Sequence, residues 1–233
     1  MALKRYELTD GLAVTVYKRR SSRSIRLSIA ANGEVRVSLP LWLPYKAGLA
    51  FANTRLDWIH RQRPAKGLFV AGHEIGKQHR LQFMITVKGL KITSRLTADK
   101  VVITHPLALA NYDPNVQAAV ERAAIRALRA EATLLLPPRL KSLALQHNFR
   151  YIDVSIKQLT GRWGSCDQHQ RIALNLFLMQ LPWELIDYVL LHELVHTKFL
   201  HHGEDFWNAL EAILPGAKKL RIDIHKHKPV VMR

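Results

Sequence analysis

Residues 190–207 read LLHELVHTKFLHHGEDFW, four histidines within eleven positions and a glutamate beside the first, set in an apolar frame. His192 and His196 are four residues apart, so on a helix they project from one face about one turn apart. Two imidazoles at that spacing can bind one zinc ion, and Glu193 can then reach a water on the metal rather than the metal itself. Leu185, Ile186, Val189, Leu190 and Val195 give this helix a broad apolar surface, which predicts burial in a core. Two histidines and a glutamate buried there lose hydration and need partners, and a metal supplies one. Satisfied core histidines are the alternative.

A catalytic zinc takes three protein ligands and keeps a fourth position for water. Candidates for the third are His201, His202, Glu204 and Glu211. Residues five or six beyond His196 lie off its helical face at about 100° per residue, so the chain must leave the helix and turn back. Gly203 sits where such a turn can finish. His202 is favoured because it gives H-E-x-x-H-x5-H, a metzincin ligand spacing, with Phe199 in place of the turn glycine. His201 is then expected to point to solvent or to support the ligands, and Glu211 to be an ordinary solvated residue.

With 233 residues the chain suits one large domain or two small ones. No stretch is long and apolar enough to span a bilayer, so no membrane is expected. The first residues lack signal-peptide order, and the single Cys166 excludes an intrachain disulfide and a multi-cysteine zinc site. A cytoplasmic location is expected. Thirty-five Lys and Arg against eighteen Asp and Glu give a formal charge of +17. That excess either attracts nucleic acid or merely solubilises the chain, and no RRM, KH or zinc-finger pattern accompanies it.

The first half reads as β. Ile25, Leu27 and Ile29 alternate with polar residues, Asn32-Gly33 makes a tight turn, and Val35, Val37 and Leu39 repeat the alternation. A short helix is expected after Pro44, with Leu49, Leu56 and Ile59 at helical spacing. FVAGHEIGKQHRLQFMITV and VVITH restore strand character. Composition shifts near Asn111, where Asp113 is a good N-cap and Pro114 a good first helical residue. The alanine- and leucine-rich helix that follows is expected to be interrupted, or restarted, at Pro137-Pro138 and to run to about His147. YIDVSIKQL and RIALNLFLM read as strands joined by TGRWGSCDQHQ, and Pro182 opens the histidine-bearing helix. No internal repeat is visible. The expected domains are a β-rich region over 1–110 and a core over 111–233.

The segment GRWGSCDQHQRIALNLFLMQLPWELIDYVLLHELVHTKFLHHGEDFW resembles the YgjP-like family of metallopeptidases, related to the SprT and Wss1 proteases. The likeness rests on Arg162-Trp163-Gly164-Ser165-Cys166, then Asp187-Tyr188-Val189 running into His192-Glu193-Leu194, then His202 followed by Phe206-Trp207. The Asn32-Gly33 hairpin and the GHEIGK turn extend it over most of the chain. It implies an α+β fold, a mainly β N-terminal part followed by a zincin-like metallopeptidase core with an H-E-x-x-H active-site helix. It also implies Zn2+ on His192, His196 and His202, with Glu193 catalytic. Gly203 departs from the pattern, in which a small polar helix cap is expected.

These readings make zinc-dependent peptide hydrolysis the leading expectation, with Glu193 assisting attack by metal-bound water on a peptide or protein substrate. In zincin-like proteins an extended substrate pairs with a sheet edge above the active-site helix, and RIALNLFLM is the expected edge. Nucleic-acid-associated proteins are candidate targets, as for the related SprT and Wss1 proteases. A nucleotide phosphohydrolase of pyrophosphatase type would use the same site, but no phosphate-cradling Gly-rich loop is present. A basic nucleic-acid-binding protein with a structural zinc is the third reading, disfavoured by Glu193 and by the four protein ligands such a site needs. Ser165 and Cys166 would need a base to act as nucleophiles, so a tight turn is expected there. Arg162 would neutralise a substrate oxygen or form an ion pair. His225 and His227 are expected in a solvated basic tail, and Phe206 and Trp207 in the core.

Overall fold

The computed structural model describes residues 3–9, 12–29, 34–62, 68–87, 89 and 91–232. The chain divides into two compact units, Met1–Gly67 and Leu68–Arg233.

In the first unit, strands β1 (Leu3–Glu7), β2 (Ala13–Lys18), β3 (Arg26–Ile29) and β4 (Val35–Leu39) form one sheet in the order β1-β2-β4-β3. The expected hairpin pairing is present: β3 runs antiparallel to β4, with Leu27 opposite Val37 and Ile29 opposite Val35. Its Asn32-Gly33 turn lies outside the described residues. Alternation buries Val14, Val16, Val35, Val37 and Leu39 on one face. Helices α1 (Tyr45–Asn53) and α2 (Leu56–Gln62) follow, and Ala52 and Ile59 complete that core. Gly48 of α1 lies so close to the sheet that a Cβ there would stand 2.8 Å from Val16 Cγ1.

The second unit begins with β5 (Glu74–Ile75), β6 (His79–Thr86), β7 (Thr93–Leu96) and β8 (Lys100–Pro106). Their order, β5-β6-β8-β7, and their antiparallel–parallel–antiparallel pairing repeat the pattern of the first sheet. No sequence repeat announces this, because pairing order depends on the alternation of apolar residues and not on their identity. The division after Gly67 differs from the 110/111 boundary expected from composition. The shift at Asn111 marks the start of a helix, α3, that packs on β7 and β8 and so shares their unit.

Helix α3 (Pro114–Gln146) starts as read: the Asp113 side chain accepts from Asn115 N–H, and Pro114 is the first helical residue. It is not interrupted at Pro137-Pro138. Val116, Val120, Ala124, Leu128, Ala132, Leu136, Leu140 and Ala144 form a buried stripe at every fourth residue, continuous through the prolines. The carbonyls left without donors are those of Thr133 and Leu134, both exposed residues where water can serve them. Burial of the stripe thus overrides the local penalty.

The same stripe side carries a buried carboxylate. Glu131 accepts from the backbone N–H groups of Lys77 (2.5 Å), Gln78 (3.1 Å) and His79 (3.1 Å), and bonds to His79 Nδ1 at 2.6 Å. The β5–β6 turn therefore wraps around the helix through one side chain. Gly76, at φ +72, is required by this wrap, since a Cβ would stand 2.9 Å from the Glu131 carboxyl carbon. Lys77 Nζ continues outward to the Leu181 carbonyl, just before the histidine-bearing helix.

After α3 come β9 (Asp153–Lys157), β10 (Gly164–Cys166) and β11 (Arg171–Asn175), a sheet in the order β10-β11-β9. RIALNLFLM is thus only half strand, and it is central. The chain leaves β11 into a 3-10 turn (Leu176–Gln180) because the buried Asn175 side chain accepts from Phe177 N–H. The edge expected on β11 is instead β10. Helices α4 (Trp183–His196), α5 (Glu204–Ile213) and α6 (Ala217–Ile224) close the unit. Among the described residues, no helix is long and apolar enough to cross a membrane.

Glu131→Ala strands three backbone donors and one imidazole in the interior, and should lower stability by about 3 kcal/mol. Thermal and urea unfolding of the purified variant checks this; an unchanged midpoint would show that the carboxylate is dispensable.

Candidate metal centre

Helix α4 is apolar nearly all round. Leu185, Ile186, Tyr188, Val189, Leu190, Leu191, Leu194 and Val195 are all buried. The helix also carries His192, Glu193 and His196, with Glu193 and His196 buried and His192 nearly so. It stops at Thr197, whose hydroxyl donates to the Leu194 carbonyl at 2.7 Å. Lys198 and Phe199 N–H both close on the Val195 carbonyl, and the chain turns back toward the helix. Gly203 caps α5 with extended backbone and no side-chain bond; Glu204 and Asp205 in the first turn supply the negative charge that the helix terminus favours.

This turn brings His202 to the other two rings. The Nε2 atoms of His192, His196 and His202 are 3.2, 3.1 and 3.0 Å apart, a near-equilateral triangle. Tetrahedral zinc ligands at about 2.0–2.1 Å from the ion stand about 3.3–3.4 Å from one another. Hydrogen bonding cannot account for the triangle, because each ring nitrogen carries either a proton or a lone pair and cannot both donate and accept. His196 Nδ1 lies 2.9 Å from the Phe199 carbonyl, so Nδ1 holds the proton and donates while Nε2 keeps its lone pair for the triangle. Burial lowers the pKa of all three rings, His192 to about 3; neighbouring imidazoles add to this at each ring and Arg221 at His192 and His202, while the bond to the Phe199 carbonyl opposes it at His196. The direction of these shifts favours the neutral imidazole, the form that binds a cation. Phe206 floors the cluster, with its ring centroid 4.6–4.9 Å from each imidazole.

The other candidates fall elsewhere. His201 is exposed, and Glu204 opens α5 outside the cluster. Glu211 Oε1 accepts from Gly216 N–H at 2.7 Å and so braces the α5–α6 turn. Among the described residues, the three imidazoles are the one group of His, Cys, Asp or Glu arranged to hold a metal ion.

Glu193 lies beside the triad with Oε2 buried and without a hydrogen-bond partner among the described residues. Burial pushes its carboxyl up to about 8, and the Arg162 guanidinium pulls the other way. Its seat is made by Gly164 on β10: a Cβ there would stand 2.6 Å from Glu193 Oε1 and 2.8 Å from Cγ. Gly164 is held in turn by Asn175, whose amide donates to the carbonyls of Leu159 and Arg162 at 2.9 and 2.8 Å and fixes the loop entering β10. An orphaned carboxylate oxygen, a backbone cradle that admits no side chain and three converging lone pairs together fit a divalent ion and the water it carries.

A cavity of about 510 Å³ opens over this group, lined by Arg162, Trp163 and Gly164 on one side and by Tyr188, His192, Glu193, His202 and Trp207 below. Arg221, His225, His227 and Lys228 line the remainder. His225, which is exposed, and His227, which is half-buried, line the site, and Trp207, half-buried and packed against the core, also lies face to face with the His202 ring at 6.0 Å. Arg162 has no carboxylate within ion-pair distance among the described residues and faces the cavity. Burial pushes the Cys166 thiol up to about 11, reinforced by Glu193, so it is no thiolate nucleophile. Tyr188 and Trp207 flank ligands closely in sequence and were within reach of sequence reasoning; Arg221 and Lys228 carry no local signal.

By class, the protein is a zinc-dependent hydrolase. Residues 23–227 match the family model described as YgjP-like, metallopeptidase domain, and the chain belongs to this family, which implies a divalent metal, typically zinc. The crystal structure of the metallopeptidase zymogen abylysin from Pyrococcus abyssi is similar at 23% identity and a TM-score of 0.35, over 44% of this chain and 92% of that one. The zymogen of jannalysin from Methanocaldococcus jannaschii gives 21% identity and 0.34, over 44% and 94%. No curated protein matches the chain.

Gly164→Ala should push the Glu193 carboxylate out of its seat and lower turnover by about tenfold or more while leaving zinc content unchanged. Zinc analysis beside a steady-state assay measures both, and an active variant would show that Glu193 does not depend on this cradle.

Proposed function

We propose that the protein is a zincin-like peptidase in which His192, His196 and His202 hold Zn2+ and Glu193 is the general base. The observation that carries this reading is the triangle of Nε2 atoms beside a buried, partnerless carboxylate. When bound, the ion supplies Lewis-acid polarisation of the scissile carbonyl and acidifies a water. Glu193 takes the proton of the attacking water on its carboxylate and returns it to the departing amine nitrogen. Its burial lifts its affinity for a proton, and Arg162 keeps that affinity from rising further. The buried Tyr188 hydroxyl, pushed up to about 12, stays protonated at the cavity as a neutral donor.

Substrate would lie along β10. In an antiparallel pair the backbone groups alternate in direction, and Trp163 O and Asp167 N–H both bond toward β11. The N–H and C=O groups of Gly164 and Cys166 therefore face away from the sheet, where an extended chain can add as a further strand. Gly164 also lines the cavity, so a chain docked there passes over Glu193.

Glu193→Gln should keep zinc and lose about a hundredfold or more of kcat on unfolded protein or quenched peptides, whereas His196→Ala should lose the metal. Release of phosphate or pyrophosphate from nucleotides without any proteolysis would assign the site to phosphoanhydride hydrolysis instead.

The formal charge of +17 supports targets associated with nucleic acid. DNA affinity is expected to fall steeply between low and physiological salt; no binding at low salt would remove this part of the reading.

A further inference from the structure

We infer that the cavity wall built by Arg162, Arg221 and the segment after α6 is an anion subsite, which selects peptides carrying an Asp or Glu side chain beside the scissile bond. The inference rests on the peptidase reading and adds a substrate class to it.

The cavity lining holds five basic side chains beyond the triad, Arg162, Arg221, His225, His227 and Lys228, and one carboxylate, Glu193. Two guanidiniums and an ammonium thus face a site that itself attracts a cation. Among the described residues, none of the three has a carboxylate within ion-pair distance. Lys226, between them in sequence, is different: it pairs with Asp223 at 2.6 Å and does not line the cavity. Fixed charges of one sign in a concave site repel one another and focus an attraction for anions. An acidic side chain of the substrate relieves that repulsion.

The wall is built and not a loose tail. Arg221 stacks over the Trp207 ring at 4.7 Å, which holds its guanidinium beside His202. Beyond the wall, the Gln180 amide donates to the Val230 carbonyl at 2.8 Å and accepts from Met232 N–H at 2.8 Å, a two-point clamp. His73 Nε2 adds a contact to the Met232 carbonyl at 3.3 Å. Residues 225–229 are thereby strung between α6 and this clamp.

The shape of the wall favours a single carboxylate over a polyphosphate. Helix α6 presents its C-terminal end to the cavity, through Arg221, Ile224 and the cap His225, and that negative pole opposes an anion in proportion to its charge, a polyphosphate more than a single carboxylate. A planar carboxylate on a peptide side chain can be held by the fork of one guanidinium. A chain added to β10 enters this same cavity at Gly164 and presents alternate side chains toward or away from it.

The test uses the full-length, zinc-loaded protein and quenched peptides identical except for one position near the scissile bond, occupied by Glu, Gln or Lys. We expect kcat/KM for the best Glu peptide to exceed that of its Gln counterpart about tenfold, with Lys lower still. Lys228→Glu, which lies beyond the last helix, should abolish or reverse the order, and Arg221→Glu should do the same with folding checked by circular dichroism and zinc content. Binding of the same peptides to zinc-loaded Glu193→Gln, read by fluorescence anisotropy, should follow the same order. Equal rates for Glu, Gln and Lys peptides would overturn the subsite and leave the peptidase reading standing. No cleavage of any peptide by protein shown to hold zinc would overturn both.

Discussion

Burial of α4 on nearly every side is the constraint on which the rest depends. A helix so enclosed leaves no water for the polar groups it carries, so each must meet a partner supplied by the fold. His196 meets the Phe199 carbonyl through Nδ1, and its Nε2 meets two other imidazoles. Asp187, on the same helix, is engaged by the Arg139 fork of α3. Among the described residues, His192 Nδ1 and Glu193 Oε2 are the buried side-chain atoms of α4 without a partner, and both belong to groups that line the cavity.

The supports around α4 share one device, in which a side chain ties remote backbone. Glu131 gathers the β5–β6 turn, Lys77 of that turn reaches the Leu181 carbonyl before α4, and Trp183 lies under both Lys77 and Arg139. Asn175 does the same for the loop before β10, and Gln180 for the C-terminal segment. Each bond is modest, yet together they hold the Glu193 seat, the β10 edge and the basic wall to one geometry. Family membership and this geometry concern the same residues, with His192, Glu193, His196 and His202 all within the matched segment.

Much of the architecture was legible because it obeys local rules. The Asp113-Pro114 helix start, the alternation in β3 and β4, and the apolar wrap of α4 all follow from spacing and capping chemistry. Local rules failed where distant packing overrode them. Pro137 and Pro138 sit inside a continuous helix because the buried stripe continues past them and the orphaned carbonyls face solvent. RIALNLFLM breaks in the middle because Asn175 turns its side chain back to the backbone. A tail that looks solvated by composition is held against the site by two hydrogen bonds from Gln180, a residue about fifty positions earlier.

The sequence by itself determined that His192 and His196 share a helical face with Glu193 between them, since a helix repeats every 3.6 residues wherever it occurs. Only the tertiary structure decided that His202, and neither His201 nor Glu211, joins them. It likewise decided that Gly164 shapes the glutamate's seat and that Arg221 and Lys228 wall the cavity. Periodicity acts between neighbours in the chain, whereas a cavity is made by segments that meet only when burial of apolar surface draws them together.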